Sequence, residues 1–139
     1  MAKKPIIVRN PHSTRPYQHV LEPLAAYLMV AKAQYEDGKY AGYYNVGPDD
    51  KDCVTTGELV DMFCSAWGNG LSWENKSDGG PHEANFLKLD CSKLKTTFGW
   101  HPRYGVKEAI GRTVEWCQEY EKNGDVVDVM DRQIKEMFQ

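Results

Sequence analysis

Residues 9–20 carry the densest group of side chains that could bind an anion. The stretch contains two arginines, Arg9 and Arg15, together with two histidines and two prolines. A guanidinium offers a rigid fork of N–H donors that matches a phosphate or diphosphate, and proline stiffens the backbone that presents it. The pattern suits a diphosphate ligand, although a structural loop whose arginines meet acidic neighbours or cap a helix explains it at least as well. Neutral donors follow at Tyr17, Gln18 and His19.

Two further polar groups could contribute to a site. Residues 78–85 contain two glycines, which let the backbone approach a ligand closely, and the side chains of His82 and Glu83 could contact a hydroxyl-rich or heterocyclic group. Asn45 ends a predicted strand, a position where open α/β sheets bind ligands. Taken alone, residues 78–85 also fit a surface loop, and Asn45 also fits a turn. Neither feature assigns a function by itself.

The hydrophobic pattern predicts a mixed α/β unit in which helices are in the majority. A strand is predicted at 5–9 and a helix at 23–37. Between them lie the residues 9–20 described above, which are called the cationic stretch from here on. Apolar residues at 21, 24, 28, 31 and 35 predict one buried stripe, and Gly38 predicts a left-handed stop. Thr55 and Glu58 have the spacing of a capping box for a helix that ends at Gly68. The remaining predicted elements are strands at 40–46, 71–76 and 85–89 and helices at 92–98, 106–122 and 126–138.

The predicted strand at 40–46 lacks evident partners. Tyr43, Tyr44 and Val46 favour a strand, but the other predicted strands are few, short and separated. This pattern indicates either a small local sheet or a piece of a larger one, and an unpaired edge would be an association site. One hypothesis is therefore a stand-alone binding module that forms an oligomer through this edge.

Composition argues against several classes of protein. A chain of 139 residues with 41% hydrophobic residues suits a single domain over residues 1–139. The net charge of -3 and the scattered basic residues disfavour nucleic-acid binding. No apolar run approaches the ~20 residues of a membrane span, and the N-terminus lacks the apolar region of a secretory signal. The four cysteines are widely spaced, which favours reduced thiols in a cytoplasmic protein and offers no zinc site.

Motifs of cofactor chemistry are absent from these residues. The sequence contains no G-x-G-x-x-G after a strand, no Walker motif and no G-x-S-x-G. The nearest Tyr-x-x-x-Lys arrangement, Tyr35 with Lys39, lies across a predicted helix end, where a chance spacing is expected. The residues therefore predict no catalytic group, no metal site and no bound cofactor in this chain.

The order of the motifs resembles the C-terminal part of an extended short-chain dehydrogenase/reductase and, more narrowly, the CDP-glucose 4,6-dehydratase family. The most specific piece is 15–24, Arg-Pro-aromatic-Gln-His-Val-Leu-Glu-Pro-Leu, because related sugar-nucleotide enzymes tend to carry Arg-Asp-aromatic there. The resemblance covers nearly the whole chain after residues 1–4, which are expected to be an artificial or truncated start. The other matching pieces are 7–14, 44–48, 82–93, 98–102 and 113–116.

The resemblance implies a helix-rich C-terminal substrate-binding portion with few short strands and no complete Rossmann domain. In the family, the complete enzyme is a lyase that oxidises the hexose C4 with tightly bound NAD, eliminates water across C5–C6 and returns the hydride to C6. The half that holds NAD and the catalytic residues is expected to be missing. This chain would then be inactive alone, in the cytoplasm, within a family that makes sugars for the lipopolysaccharide O-antigen.

Motif positions in the resemblance also imply individual roles. Arg15 would face the diphosphate, and Arg9 would lie near the nucleotide or ribose. Asn45 would lie near the diphosphate, and His82 and Glu83 near the nucleotide end. The expected ligand is a CDP-sugar or related nucleotide, bound weakly. The expected protein partner is either a second copy of the chain or a separately encoded NAD-binding half.

Overall fold

Helices dominate the part of the protein that the computed structural model describes, residues 4–77 and 85–139. The helices are α1 (Leu21–Glu36), α2 (Thr56–Trp67), α3 (Ser92–Phe98), α4 (Val106–Glu121) and α5 (Val126–Met137). The strands are β1 (Ile6–Val8), β2 (Thr14–Arg15), β3 (Val54–Thr55) and β4 (Trp73–Asn75). The predicted mixed α/β class, rich in helices and with few short strands, is confirmed. No helix in the described ranges is both long and apolar enough to cross a bilayer.

The strands form two small sheets. β1 and β4 run parallel, with Ile6 opposite Trp73, and α2 lies between them in the chain as in a βαβ unit. β2 and β3 run antiparallel, with Thr14 opposite Thr55. Thr14 also forms a parallel bridge to Phe86. The short β2 strand therefore has a neighbour on each side, which fixes the middle of the cationic stretch.

The start of α2 follows the predicted capping box. The Thr55 hydroxyl accepts a hydrogen bond from the Glu58 backbone N–H at 3.2 Å, and the Glu58 carboxylate accepts one from the Thr55 N–H at 2.8 Å. These two bonds satisfy N–H groups that have no partner inside the helix. The helix ends at Gly68, whose φ of 72° is readily adopted only by glycine.

One buried cluster of the hydrophobic core lies between α1 and α3. It centres on Ala26, Leu94 and Trp100, all of which are buried. The two helices enclose this cluster together with the segment around residues 44–46. The partly buried side chains packed against it are Met29, Val30, Tyr44, Val46 and Phe98.

α1 presents a different face to the core from the one predicted. Its buried residues are Glu22 and Ala26, whereas Leu24, Leu28 and Tyr35 of the predicted stripe are exposed. The prediction of a buried stripe was wrong because α1 is apolar nearly all round. Such a helix has no polar face to mark the solvent side, so its sequence pattern does not fix its orientation.

The chain after α1 also departs from the prediction. Asp37 ends the helix in an extended conformation, with φ of -150°, and its carboxylate accepts a hydrogen bond from the Lys39 N–H at 2.9 Å. Gly38 begins a short 3-10 turn and does not have a left-handed conformation. Residues 43–46 run without helix, turn or bend, but they form no ladder with any described strand. The strand predicted there is thus not formed within the described residues.

Ion pairs and side-chain hydrogen bonds hold α5 against α4. Arg112 donates to the Glu136 carboxylate at 2.6 Å and to Glu108 at 3.1 Å. The buried Gln133 donates to the Arg112 carbonyl at 3.0 Å and to Glu115 at 2.9 Å. Because one side chain of α5 bonds to a backbone group of α4, the two helices are held in a fixed register.

Glu22 is a buried carboxylate that ties the start of α1 to the segment before α4. One of its oxygens accepts hydrogen bonds from the backbone N–H groups of Arg103 at 2.8 Å and Tyr104 at 2.7 Å. Burial raises the pKa of Glu22, and the two N–H donors oppose that shift. These bonds provide an acceptor for two N–H groups beside the start of α4, one of which, that of Tyr104, is buried.

His19, the last residue but one before α1, is buried and packs in a T-shaped arrangement with the ring of Tyr104, with ring centroids 5.9 Å apart. Its Nδ1 accepts a hydrogen bond from the Leu21 N–H at 3.4 Å. Burial lowers the pKa of His19, and the nearby positive charge of Arg112 lowers it further. An acceptor at Nδ1 and a lowered pKa both favour the neutral form of the ring. His19 therefore acts as a packed part of the fold and not as an exposed cation.

Replacing Glu22 with alanine should lower the free energy of unfolding by about 2–4 kcal/mol, because two N–H groups lose their shared acceptor. Urea unfolding measures this change. Glu22→Gln keeps one acceptor oxygen and should lose less. The control is Glu36→Ala, which breaks only an exposed pair with Lys32. An unaltered midpoint for Glu22→Ala would show that this anchor contributes nothing.

The stability of the protein should fall as pH decreases below about 6.5, the ordinary pKa of histidine. Folded His19 resists protonation while the unfolded chain accepts the proton, so its contribution is complete above that pH and is lost as pH falls toward its lowered folded pKa. Urea unfolding between pH 5.5 and 7.5 measures the slope. His19→Gln should flatten it, whereas the exposed His101→Gln should not. Equal slopes for the two variants would contradict a buried neutral His19.

Candidate functional site

Hydroxyl groups dock the cationic stretch onto the start of α2. The Thr56 hydroxyl lies 3.0 Å from the Ser13 hydroxyl and 2.8 Å from the Tyr17 hydroxyl, within hydrogen-bond distance of both. The Thr56 N–H donates to the Ser13 carbonyl at 2.9 Å, and the Gly57 N–H donates to the Pro11 carbonyl at 2.8 Å. A Cβ at Gly57 would lie 3.2 Å from that carbonyl oxygen. Glycine there permits the close approach that these bonds require.

Arg15 lies in β2 with its backbone paired to Val54. Its guanidinium donates to the Thr14 carbonyl at 2.9 Å, and the same carbonyl accepts the Leu87 N–H at 3.1 Å. The half-buried side chain therefore extends from a backbone that is held from both sides. A guanidinium in such a setting loses little conformational entropy when it binds an anion.

Backbone hydrogen bonds connect the cationic stretch to the end of the 78–85 group. The Thr14 N–H donates to the Asn85 carbonyl at 2.9 Å, which places the end of the 78–85 group beside the strand of Arg15. His82 and Glu83 lie outside the described residues, so their predicted roles are untested. Phe86, which follows directly, has its ring 5.5 Å from the Lys88 ammonium group and is largely exposed.

The third group, at Asn45, is tied to the same region through its neighbours. The Gln18 side-chain N–H donates to the Val46 carbonyl at 3.1 Å. The Asn45 side-chain N–H donates to the Asp90 carbonyl at 3.0 Å. Segment 45–46 is therefore bonded both to the cationic stretch and to the chain leading into α3. Asn45 is exposed, and so is Arg9 at the other end of the site.

A pocket of about 460 Å³ opens next to this segment, and its lining includes the charged side chains of Asp49, Asp50, Lys88, Asp90 and Lys95. Lys95 donates to the Asp49 carboxylate, and this bond holds the pKa of Asp49 below its usual range. Lys88 lies 3.5 Å from Asp50. Both lysines face carboxylates, whose negative charge opposes the binding of a diphosphate in this pocket.

Sequence reasoning missed two side chains that shape the site. Thr56 was passed over because Thr55 accounts for the capping box, yet Thr56 is the residue that contacts the cationic stretch. Gln18 was taken as a donor for a ligand, whereas its amide N–H bonds to the backbone and its carbonyl oxygen is buried without a partner among the described residues. The buried anchoring role of Glu22, described above, was also not predicted. The sequence did contain a signal for it, since Glu22 is the one charged residue in a long apolar stretch, 20–31.

The described residues do not form a metal-binding group of histidine, cysteine, aspartate and glutamate side chains. They also fit an NAD diphosphate poorly at the start of α2. That helix follows a strand, as in dinucleotide-binding motifs, but its N-terminus is closed by the Glu58 carboxylate. A carboxylate in that position repels an anion and uses a backbone donor that the anion would need.

Comparison with known proteins agrees with the resemblance found in the sequence. No family model matches the chain. The chain is 43% identical over 132 residues to the CDP-glucose 4,6-dehydratase of Salmonella typhimurium (strain LT2), an alignment that covers 94% of this chain and 37% of that enzyme. This chain thus spans well under half the length of that relative. The predicted resemblance is confirmed: nearly the whole of the 139-residue sequence is similar to one part of a CDP-glucose 4,6-dehydratase.

Proposed function

We propose that this chain is the nucleotide-sugar-binding portion of a CDP-glucose 4,6-dehydratase-like protein. The observation that carries the proposal is the placement of Arg15. It lies in the most specific matching motif, on a strand paired on both sides and bonded to the end of the 78–85 group. The 43% identity to a dehydratase over nearly the whole chain supports the same ligand class.

The proposed role of these residues is to bind and orient the substrate. Arg15 would bind the diphosphate through its forked N–H donors. Arg9, Asn45 and the chain around His82 and Glu83 would contact the nucleotide and the diphosphate, as the motif positions imply. The hydroxyl contacts of Thr56 and the pairing of Thr14 would keep the backbone preorganised for that contact.

The redox and elimination chemistry of the family is assigned to groups outside these residues. The sequence contains no glycine-rich dinucleotide loop, and the N-terminus of α2 is closed by Glu58. The larger part of the Salmonella enzyme lies outside the match. We therefore assign no catalytic residue to this chain.

This chain alone should not convert CDP-glucose and NAD to the 4-keto-6-deoxy sugar. The reason is that it supplies binding contacts without an NAD site or a Tyr-x-x-x-Lys pair in a suitable setting. A turnover assay that separates the products by chromatography checks this expectation. Product formation by pure chain, at a rate proportional to its concentration, would overturn the assignment of roles.

Binding of CDP by the chain alone should be weak, with Kd above ~100 μM, since one wall of a cleft supplies few contacts and little preorganisation. Titration calorimetry at high protein concentration measures it. Arg15→Ala should weaken binding about ten-fold or more, because a charge-assisted hydrogen bond contributes roughly 1.5–3 kcal/mol. Arg15→Lys should fall between, since it keeps the charge and loses the fork.

The matched control is Arg132→Ala on α5. The Arg132 guanidinium donates a hydrogen bond to the Glu115 carboxylate of α4. It removes the same side chain far along the sequence from every predicted site residue and should leave CDP binding unaltered. Equal affinity of Arg15→Ala and the unmodified chain would remove Arg15 from the site. A low-micromolar Kd for the unmodified chain would refute the idea of a partial cleft.

A further inference from the structure

We propose that Asn69 is a site of spontaneous deamidation, at which the folded chain converts an asparagine to aspartate and isoaspartate with water as the co-reactant. The sequence contains two Asn-Gly pairs, Asn69-Gly70 and Asn123-Gly124, and no other asparagine precedes a glycine. A following glycine favours the reaction, because no Cβ shields the backbone nitrogen that attacks. The structure distinguishes the two pairs and assigns the faster reaction to the first.

The reaction closes a five-membered ring on the backbone. The Gly70 nitrogen loses its proton to a solvent base and bonds to Cγ of Asn69, and the Cγ–Nδ2 bond breaks as ammonia leaves. Water then opens the resulting succinimide at either carbonyl. Opening at Cγ gives aspartate, and opening at the backbone carbonyl carbon of residue 69 gives isoaspartate. The net change consumes a water molecule, releases an ammonia molecule and adds a negative charge at residue 69.

The two Asn-Gly pairs are closely matched in their local structure. Each asparagine follows the end of a helix, α2 for Asn69 and α4 for Asn123, and each is exposed. Their φ angles are 53° and 54°, so both have the left-handed conformation that asparagine tolerates better than most residues. Neither the exposure class nor the φ angle of the asparagine therefore separates the two sites.

Hydrogen bonds and a nearby charge protect Asn123-Gly124. The Gly124 N–H donates to the Glu119 carbonyl at 3.0 Å, and the Asn123 N–H donates to the Tyr120 carbonyl at 3.1 Å. These bonds close the C-terminal end of α4. The Glu119 carboxylate also occupies the position that a Cβ at Gly124 would take. The attacking nitrogen must therefore first lose a hydrogen bond and then carry negative charge beside a carboxylate, and both steps slow the reaction.

The Gly70 nitrogen has no such hydrogen bond. Its N–H donates to no acceptor among the described residues, and the turn is closed instead by the Leu71 N–H, which donates to the Gly68 carbonyl at 3.1 Å. Glycines with φ angles of 72° and 71°, Gly68 and Gly70, flank Asn69. Because glycine restricts the backbone least, the chain on both sides of Asn69 can rotate to bring the nitrogen toward Cγ.

Peptide mass spectrometry of the folded chain tests the proposal. The purified chain is incubated at mildly alkaline pH and physiological temperature and is digested at intervals. Each Asn-Gly peptide is scored for the replacement of NH by O, and electron-transfer fragmentation separates isoaspartate from aspartate. Asn69 should convert about ten-fold or more faster than Asn123, because the nitrogen after Asn123 must first lose its hydrogen bond.

Unfolding provides the matched control. In guanidinium chloride above the unfolding transition, the two dipeptides lie in an open chain and should convert at similar rates. Asn69→Gln should abolish conversion at residue 69, because glutamine would need a six-membered ring, and should leave the rate at Asn123 unchanged. The proposal is overturned if Asn69 converts no faster than Asn123 in the folded chain. It is also overturned if the two rates have the same ratio in the folded and unfolded chain, because the fold would then not select the site.

Discussion

Pairing of a two-residue strand on both sides holds the candidate site in place. Thr14 and Arg15 pair with Thr55 and Val54 on one side, and the backbone of Thr14 bonds to residues 85 and 87 on the other. Three stretches that are far apart in the sequence therefore meet at one backbone. A side chain that extends from such a position keeps its direction when a ligand arrives, and the proposed binding of a diphosphate by Arg15 would require this property.

The remaining polar interactions maintain the surroundings of that strand. The hydroxyl of Thr56 connects α2 to the cationic stretch, and the amide of Gln18 connects the stretch to Val46. At the end of the stretch, His19 and the following Glu22 attach the start of α1 to the segment before α4. The helices therefore act as supports for the loops, and the loops carry the predicted ligand contacts.

Local signals in the sequence were sufficient for much of the fold. The capping box at Thr55 and the glycine at 68 predicted the start and the end of α2, because these features depend on neighbouring residues only. The orientation of α1 and the state of segment 43–46 were not predictable in this way. Both depend on tertiary packing around an apolar helix and an extended segment. Local sequence patterns do not specify that packing. The same limit applies to Thr56, whose role appears only when distant segments are brought together.

Amide chemical-shift mapping with CDP tests the central claim most directly. Proton–nitrogen correlation spectra of the labelled chain, recorded over a CDP titration, report each backbone N–H separately and detect binding at millimolar affinity. Nucleotide binding at the strand of Arg15 predicts that the largest shifts fall in residues 9–20, 45–47 and 85–87 and saturate with one common Kd. Shifts that are absent from these three stretches, or that concentrate in α4 and α5, would contradict the account.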